Sequence, residues 1–195
     1  MKKLTAVLLL VIIAYTGFSQ GHFRVHAGPA FNQLNSGNTA TSFDNIGVGT
    51  VAGVGYEMLL TNRFAIQPEF NAIWFKAKEA VSNAEYNFSY VQIPVLFKVL
   101  SNKQNIAFYG GPQLAFRTKA NRKIGSTKTD VSTNVGDTEF GVAAGFEYIT
   151  SKNIIFNFRF TQGLSNVFKV EFGSANTSRH QIISAMLGYR FGKKK

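Results

Sequence analysis

Three histidines, His22, His26 and His180, are the side chains of this sequence best suited to general acid–base chemistry. A hydrolytic histidine needs a nucleophile such as serine and an orienting carboxylate within hydrogen-bond reach. No recognisable hydrolase motif surrounds any of the three. The sequence also has no cysteine, no metal-ligand spacing and no phosphate-binding glycine loop. We therefore expect no catalytic residue, no metal site and no cofactor, and we expect that the protein is not an enzyme.

A second set of polar residues is charged and stands at alternate positions among apolar residues. Its nine members are Arg24, Glu57, Glu69, Lys98, Arg117, Glu139, Glu147, Arg159 and Arg190. Alternation of this kind places all of them on one face of extended strands. If that face encloses a narrow space, unpaired charges would be costly. The pattern therefore predicts a network of ion pairs and hydrogen bonds.

The alternation that positions these residues recurs in eight segments between Phe23 and Phe191, each about ten residues long. The connections between the segments alternate strictly between long and short. The long connections are 35–46, 77–85, 118–137 and 164–179, and the short ones are 61–63, 100–105 and 150–153. Strands of this length cross a membrane when tilted, and membrane barrels have long outside loops and short periplasmic turns. The sequence predicts an all-β fold, an eight-stranded antiparallel transmembrane up-and-down β-barrel.

A soluble barrel of the lipocalin kind is the rival architecture, with the apolar face turned towards a ligand cavity. The apolar face here carries most of the 19 phenylalanines, whereas the opposite face combines glycine with charged residues and glutamine. The interior of a small barrel is only just wide enough for its side chains. Because the aromatic set would overfill that interior, we expect the aromatics to face lipid and the charged residues to line the lumen.

The N-terminus predicts export and hence the location. Lys2 and Lys3 precede an apolar run from Leu4 to Ala14, which is too short to span a bilayer and is typical of a signal peptide. We expect residues 1–20 to be cleaved and residues 21–195 to form the barrel domain of an outer-membrane protein. The net charge of +11 is scattered through predicted turns and loops. It therefore favours anionic lipid head groups over nucleic acid as partners.

Several segments resemble the PorT-like outer-membrane β-barrel family of Bacteroidota. They are IPVLFK at 93–98, YGGPQL at 109–114, FGVAAG at 140–145, FRFTQGLSNV at 158–167 and the closing LGYRF at 187–191. The resemblance covers nearly the whole chain after residue 20. It implies a barrel without an established activity, related to an accessory factor of a secretion and gliding system. The chain departs from the usual barrel ending because Gly192 and three lysines follow Phe191.

Three functions follow from this interpretation. The first is a non-catalytic scaffold whose extracellular loops contact lipopolysaccharide, surface proteins or a secretion apparatus, because loops on a rigid scaffold commonly carry function. The second is a narrow channel for small solutes. The third is a lipid A-modifying enzyme. We expect the first, with outer-membrane lipid and the barrel-assembly machinery as further partners.

Overall fold

The computed structural model describes residues 21–36, 47–78, 85–124, 127–130, 136–165 and 178–192. The predicted signal peptide lies outside these residues. Within them the chain forms nine strands: β1 (Gly21–Ser36), β2 (Gly47–Leu59), β3 (Phe64–Lys78), β4 (Glu85–Leu100), β5 (Ile106–Ile124), β6 (Thr127–Asp130), β7 (Thr138–Ile149), β8 (Ile154–Gly163) and β9 (Ser178–Arg190). No helix in the described ranges is long and apolar enough to cross a bilayer.

Eight of these strands close into an antiparallel barrel. The strand order is β4-β3-β2-β1-β9-β8-β7-β5, and an additional pairing of β4 with β5 joins the two ends. The short β6 pairs with the far end of β5. Closure gives every barrel strand two partners, so backbone groups are satisfied without water, as a lipid environment requires. The predicted eight-stranded antiparallel up-and-down barrel is confirmed.

Side chains alternate between the two faces of the barrel wall. On β8, Phe156 and Phe158 are each 49% exposed, whereas the intervening Asn157 and the following Arg159 are 6% and 5% exposed. The other strands repeat this pattern, with phenylalanine, valine, tyrosine or leucine outside. An apolar outer face and a polar inner face is the arrangement of a membrane barrel. It rules out the soluble barrel, whose apolar residues would point inward.

The three short connections, 60–63, 101–105 and 150–153, lie within one residue of the predicted ones at 61–63, 100–105 and 150–153. Two contain a residue in the left-handed region, Gln104 with φ of 51° and Asn153 with φ of 63°. Such a residue lets a short loop reverse the chain between twisted strands. These turns share one end of the barrel, which we call the turn end. The opposite end, from which the long connections extend, is the loop end.

The stretch 118–137 differs from the predicted long loop. β5 continues to Ile124 and pairs there with β6, so that Asn121 opposes Asp130 and Ile124 opposes Thr127. β4 flanks the same part of β5, after a register shift between Ser89 and Tyr90. The prediction was wrong for this stretch because charged residues keep a strand out of lipid but do not keep it out of a sheet.

The interior is divided into layers, which the prediction of a lumen lined by charged residues and glycine did not include. Near the loop end, inward-facing apolar side chains form a cluster: Ala30, Val51, Ile73, Phe75, Phe88, Tyr90, Ala115, Ala120, Ile182 and Met186. At the turn end, Ala65, Leu100 and Ala107 pack together. Several aromatic residues therefore face inward rather than towards lipid. Most of the buried charged residues, among them Arg24, Glu57, Lys98, Glu147, Glu69 and Arg159, lie between these two apolar layers.

Candidate functional site in the barrel interior

Two carboxylates and two cations meet in the half of the lumen nearer the turn end. Arg24 donates hydrogen bonds to Oε2 of Glu57 over 3.0 Å and to Oε2 of Glu147 over 2.9 Å. Nζ of Lys98 donates to Oε2 of Glu57 over 2.6 Å and also to Glu147. All four residues are at most 2% exposed. Their formal charges cancel, and mutual pairing is the condition under which buried charges are tolerated.

A second ion pair continues the network towards the loop end. Arg159 on β8 donates two parallel hydrogen bonds, of 2.7 and 2.9 Å, to the carboxylate of Glu69 on β3. Gln67 joins the two groups, because its Oε1 accepts from Lys98 over 2.9 Å and its Nε2 donates to Glu69 over 2.6 Å. Nδ2 of Asn71 donates to the other oxygen of Glu69 over 2.9 Å. The result is one hydrogen-bonded structure across the lumen.

Tyr109 supports the arginine of the second pair. Its ring centre lies 5.4 Å from the Arg159 guanidinium, and its hydroxyl donates to Oδ1 of Asn157 over 2.6 Å. Tyr109 faces Gly145 on β7, where an added Cβ would come within 2.5 Å of the tyrosine oxygen. Glycine at this lumenal position thus leaves room for the neighbouring ring. This close approach gives a physical reason for a glycine on the polar face.

Six of the nine predicted network residues belong to this structure: Arg24, Glu57, Glu69, Lys98, Glu147 and Arg159. Arg190 lies at its margin, 4.0 Å from Glu57, and donates to Asn153 in a turn. Arg117 instead pairs with Asp137 at the loop end. Both arginines lie near a rim, where strand ends depart from the barrel's central packing.

Glu139 also lies apart from the network, inside the loop-end apolar layer. Its Oε1 is 3.6 Å from Nε2 of His180. The same nitrogen lies 3.4 Å from the hydroxyl of Tyr90, and Nδ1 lies 3.0 Å from Oδ1 of Asn32. The predicted single network therefore divides: Glu139 lies among the aromatic residues of the loop-end layer, and the six network residues lie nearer the turn end.

The polar side chains that complete the network were not predicted as members. They are Gln67, Asn71, Tyr109 and Asn157, and each alternates with lipid-facing residues. This alternation along the strand was enough to predict that they lie on the inner face. It could not reveal that an amide such as Gln67 would bridge two ion-pair groups, since this depends on contacts between distant strands.

The histidines do not form a hydrolytic arrangement within the described part of the chain. Nε2 of His26 lies 2.8 Å from Oδ1 of Asn71, and His180 contacts Asn32 and Tyr90 as above. Among the described residues, no hydrogen bond joins a histidine to a serine, and no group of three or more metal-ligating side chains is found.

A family model described as "Outer membrane protein beta-barrel domain" matches residues 16–169. The chain belongs to this family. Membership gives the location, the outer membrane, and identifies the exposed apolar band of this outer-membrane barrel as its lipid-facing surface. From the usual loop lengths of such barrels, we expect the turn end to be periplasmic and the loop end to be extracellular.

Solved structures share the outer-membrane barrel fold. Neisserial surface protein A (NspA) matches with a TM-score of 0.60 and 14% identity, covering 88% of this chain and all of that one. Ail of Yersinia pestis, in complex with the heparin analogue sucrose octasulfate, matches with a TM-score of 0.55 and 15% identity, covering 88% and 99%. At these identities the likeness establishes the fold alone. No protein with a curated description matches the sequence.

Proposed function

We propose that the protein is a non-enzymatic scaffold of the outer membrane that acts through its extracellular surface, while its own side chains close its interior. The observation that carries this proposal is the charge-paired network of the lumen. Arg24 and Lys98 share Glu57 and Glu147, and Arg159 holds Glu69. Charged side chains that are already paired with one another are poor candidates for binding a transported solute or for catalysis.

The layered interior supports closure over conduction. A charged lumen conducts only if water and ions can pass between its side chains. Here the ion pairs are buried between the two apolar layers, and Phe75 and Phe88 at 3% and 1% exposure fill the loop-end layer. A lipid A-modifying activity has no serine–histidine pair among the described residues to support it.

Outward-facing lysines at the loop end favour lipopolysaccharide as a partner. Trp74 is 49% exposed. It pairs with Ser89 on β4, which in turn pairs with Lys119 on β5, so Trp74 and Lys119 lie at the same height on the barrel wall. Tryptophan commonly marks the level of lipid head groups. Lys76 and Lys123 lie further towards the loop end and are exposed. Lysines at this height can contact the phosphates of the outer leaflet.

Neutralising these lysines tests the partner. We expect the triple variant Lys76→Gln, Lys119→Gln, Lys123→Gln to bind lipopolysaccharide-containing nanodiscs or micelles about 100-fold more weakly, since each surface lysine contributes about 1 kcal/mol near an anionic membrane. Binding is measured as the increase in unfolding midpoint when lipopolysaccharide is added, because a ligand of the folded protein stabilises it in proportion to its affinity and concentration. The matched control, Lys103→Gln with Lys152→Gln, changes exposed lysines at the turn end. Equal loss of lipopolysaccharide stabilisation in the two variants would refute the lysine site.

The finer family assignment and the protein partners belong to the same proposal. The segments that resemble PorT-like barrels contain network residues, with Lys98 ending the first, Tyr109 beginning the second and Arg159 inside the fourth. The segments that carry the resemblance therefore include residues of the interior network as well as lipid-facing ones. We infer insertion by the barrel-assembly machinery and contacts of the extracellular loops with a surface or secretion-system protein.

A further inference from the structure

A small cavity lies in the loop-end half of the lumen, separate from the ion-pair network. Side chains that line it include Phe75, Tyr90, Gln113, Glu139, Thr161 and His180. Its volume is about 20 Å³, which is room for about one water-sized particle. Glu139 is the second residue of β7, and Gly163, which also lines the cavity, is the last residue of β8. The cavity thus lies level with the loop-end termini of β7 and β8, whereas β4 and β5 continue further in that direction.

Two hydrogen-bond acceptors in this cavity have no donor. Oε1 of Glu139 and Oε1 of Gln113 are buried and accept no hydrogen bond from any described residue. Their residues are 6% and 4% exposed. Glu139 opposes Ala115 on β5, two residues from Gln113, so both side chains rise from neighbouring positions on the inner face. A buried carboxylate oxygen without a donor is costly, so the site calls for a cation or a strong donor.

The neighbouring groups leave these two oxygens without a hydrogen bond, although the Tyr90 hydroxyl hydrogen-bonds to the Glu139 carboxylate and Arg117 lies near enough to attract it. Nε2 of His180 is 3.6 Å from Glu139 Oε1, which is too far for a hydrogen bond. Arg117, the next inward-facing position of β5, pairs with Asp137 at the rim. Oε1 of Glu139 is therefore left for an occupant of the cavity.

We propose that this cavity binds a small monovalent cation, of the size of potassium or ammonium, between Glu139 and Gln113. The carboxylate supplies the charge, the amide oxygen supplies a second acceptor, and the rings of Phe75 and Tyr90 offer cation–π attraction. The cavity size limits the ligand to a single ion or the head of a primary amine. Since no group of three metal-ligating side chains occurs among the described residues, a transition metal fits less well.

Cation-dependent unfolding of the purified full-length protein tests the site. Potassium chloride or methylammonium chloride is added while N-methyl-D-glucamine chloride keeps the ionic strength constant. We expect the wild-type unfolding midpoint to rise with at least one small cation, and the isosteric Glu139→Gln variant to bind that cation about 10- to 100-fold more weakly, as loss of a charge-assisted contact implies. The matched control is Glu85→Gln, at a partly exposed carboxylate of β4. The salt that raises the unfolding midpoint more shows whether the bound cation is a metal ion or an amine.

A crystallographic measurement on the wild type keeps the proposal testable if Glu139→Gln fails to fold. Thallium(I) replaces potassium in such sites and gives an anomalous signal. We expect an anomalous peak between the Glu139 and Gln113 side chains. A wild-type midpoint that responds equally to all three salts, the same response in Glu139→Gln, or a cavity holding only water would overturn the proposal.

Discussion

Replacing Glu147 by alanine is expected to lower the free energy of unfolding by about 3–5 kcal/mol, the range for breaking a buried ion pair by removing one partner. Glu147 accepts hydrogen bonds from both Arg24 and Lys98, and it is fully buried. Its loss leaves two cations facing Glu57 alone, far from water. The remaining charges cannot be rehydrated without disrupting the packed interior.

Equilibrium unfolding by urea in lipid vesicles measures this effect. Glu85→Ala is the matched control, because Glu85 pairs with the exposed Lys76 over 3.6 Å near the loop end. A pair of that kind contributes less than about 1 kcal/mol. Glu147→Gln should fall between the two, since it keeps an acceptor oxygen but loses the charge. If Glu147→Ala and Glu85→Ala were equally stable, the ion-pair network would not contribute to stability.

Placing a charge on the lipid face is expected to have the second large effect. Phe158 lies in the middle of β8 and is 49% exposed. The variant Phe158→Arg should lose about 2–4 kcal/mol, the cost of an arginine at the midplane of a membrane barrel. By contrast, Phe158→Leu should lose less than about 1.5 kcal/mol, because lipid accepts any apolar shape and only the stacked contact with Phe146 disappears.

An inward-facing phenylalanine provides the comparison for that pair. Phe88 is 1% exposed and packs against Phe75 with ring centres 5.4 Å apart. Phe88→Leu should therefore destabilise more than Phe158→Leu, since it opens space in a packed layer. The same vesicle unfolding assay ranks the three variants. A larger loss for Phe158→Leu than for Phe88→Leu would mean that the assignment of inner and outer faces is wrong.

Local periodicity was sufficient to predict the barrel and the face of most side chains. The alternation of Phe156, Asn157, Phe158 and Arg159 assigns each residue to lipid or lumen without knowledge of its neighbours. Loop lengths added the order of long and short connections. Both signals are local in sequence, so a single chain displays them directly.

Contacts across the lumen could not be predicted in the same way. Arg24 and Glu147 are 123 positions apart, and their pairing depends on the closure and stagger of the whole barrel. The alternation of inward- and outward-facing residues likewise could not show that Arg117 would pair with Asp137 at a rim. Nor could it show that Glu139 would lie with His180 in an aromatic layer. The extension of β5 was missed because its polar residues look the same in an exposed strand as in a loop.

Single-barrel conductance in planar bilayers tests most directly the claim that the interior is closed. The wild-type protein is expected to insert without discrete conductance steps, because Arg24, Glu57, Lys98 and Glu147 are joined across the lumen between two apolar layers. Insertion is verified in the same membranes by protease protection of the barrel. Stable, reproducible steps from the inserted wild-type protein would contradict the account and favour a narrow channel.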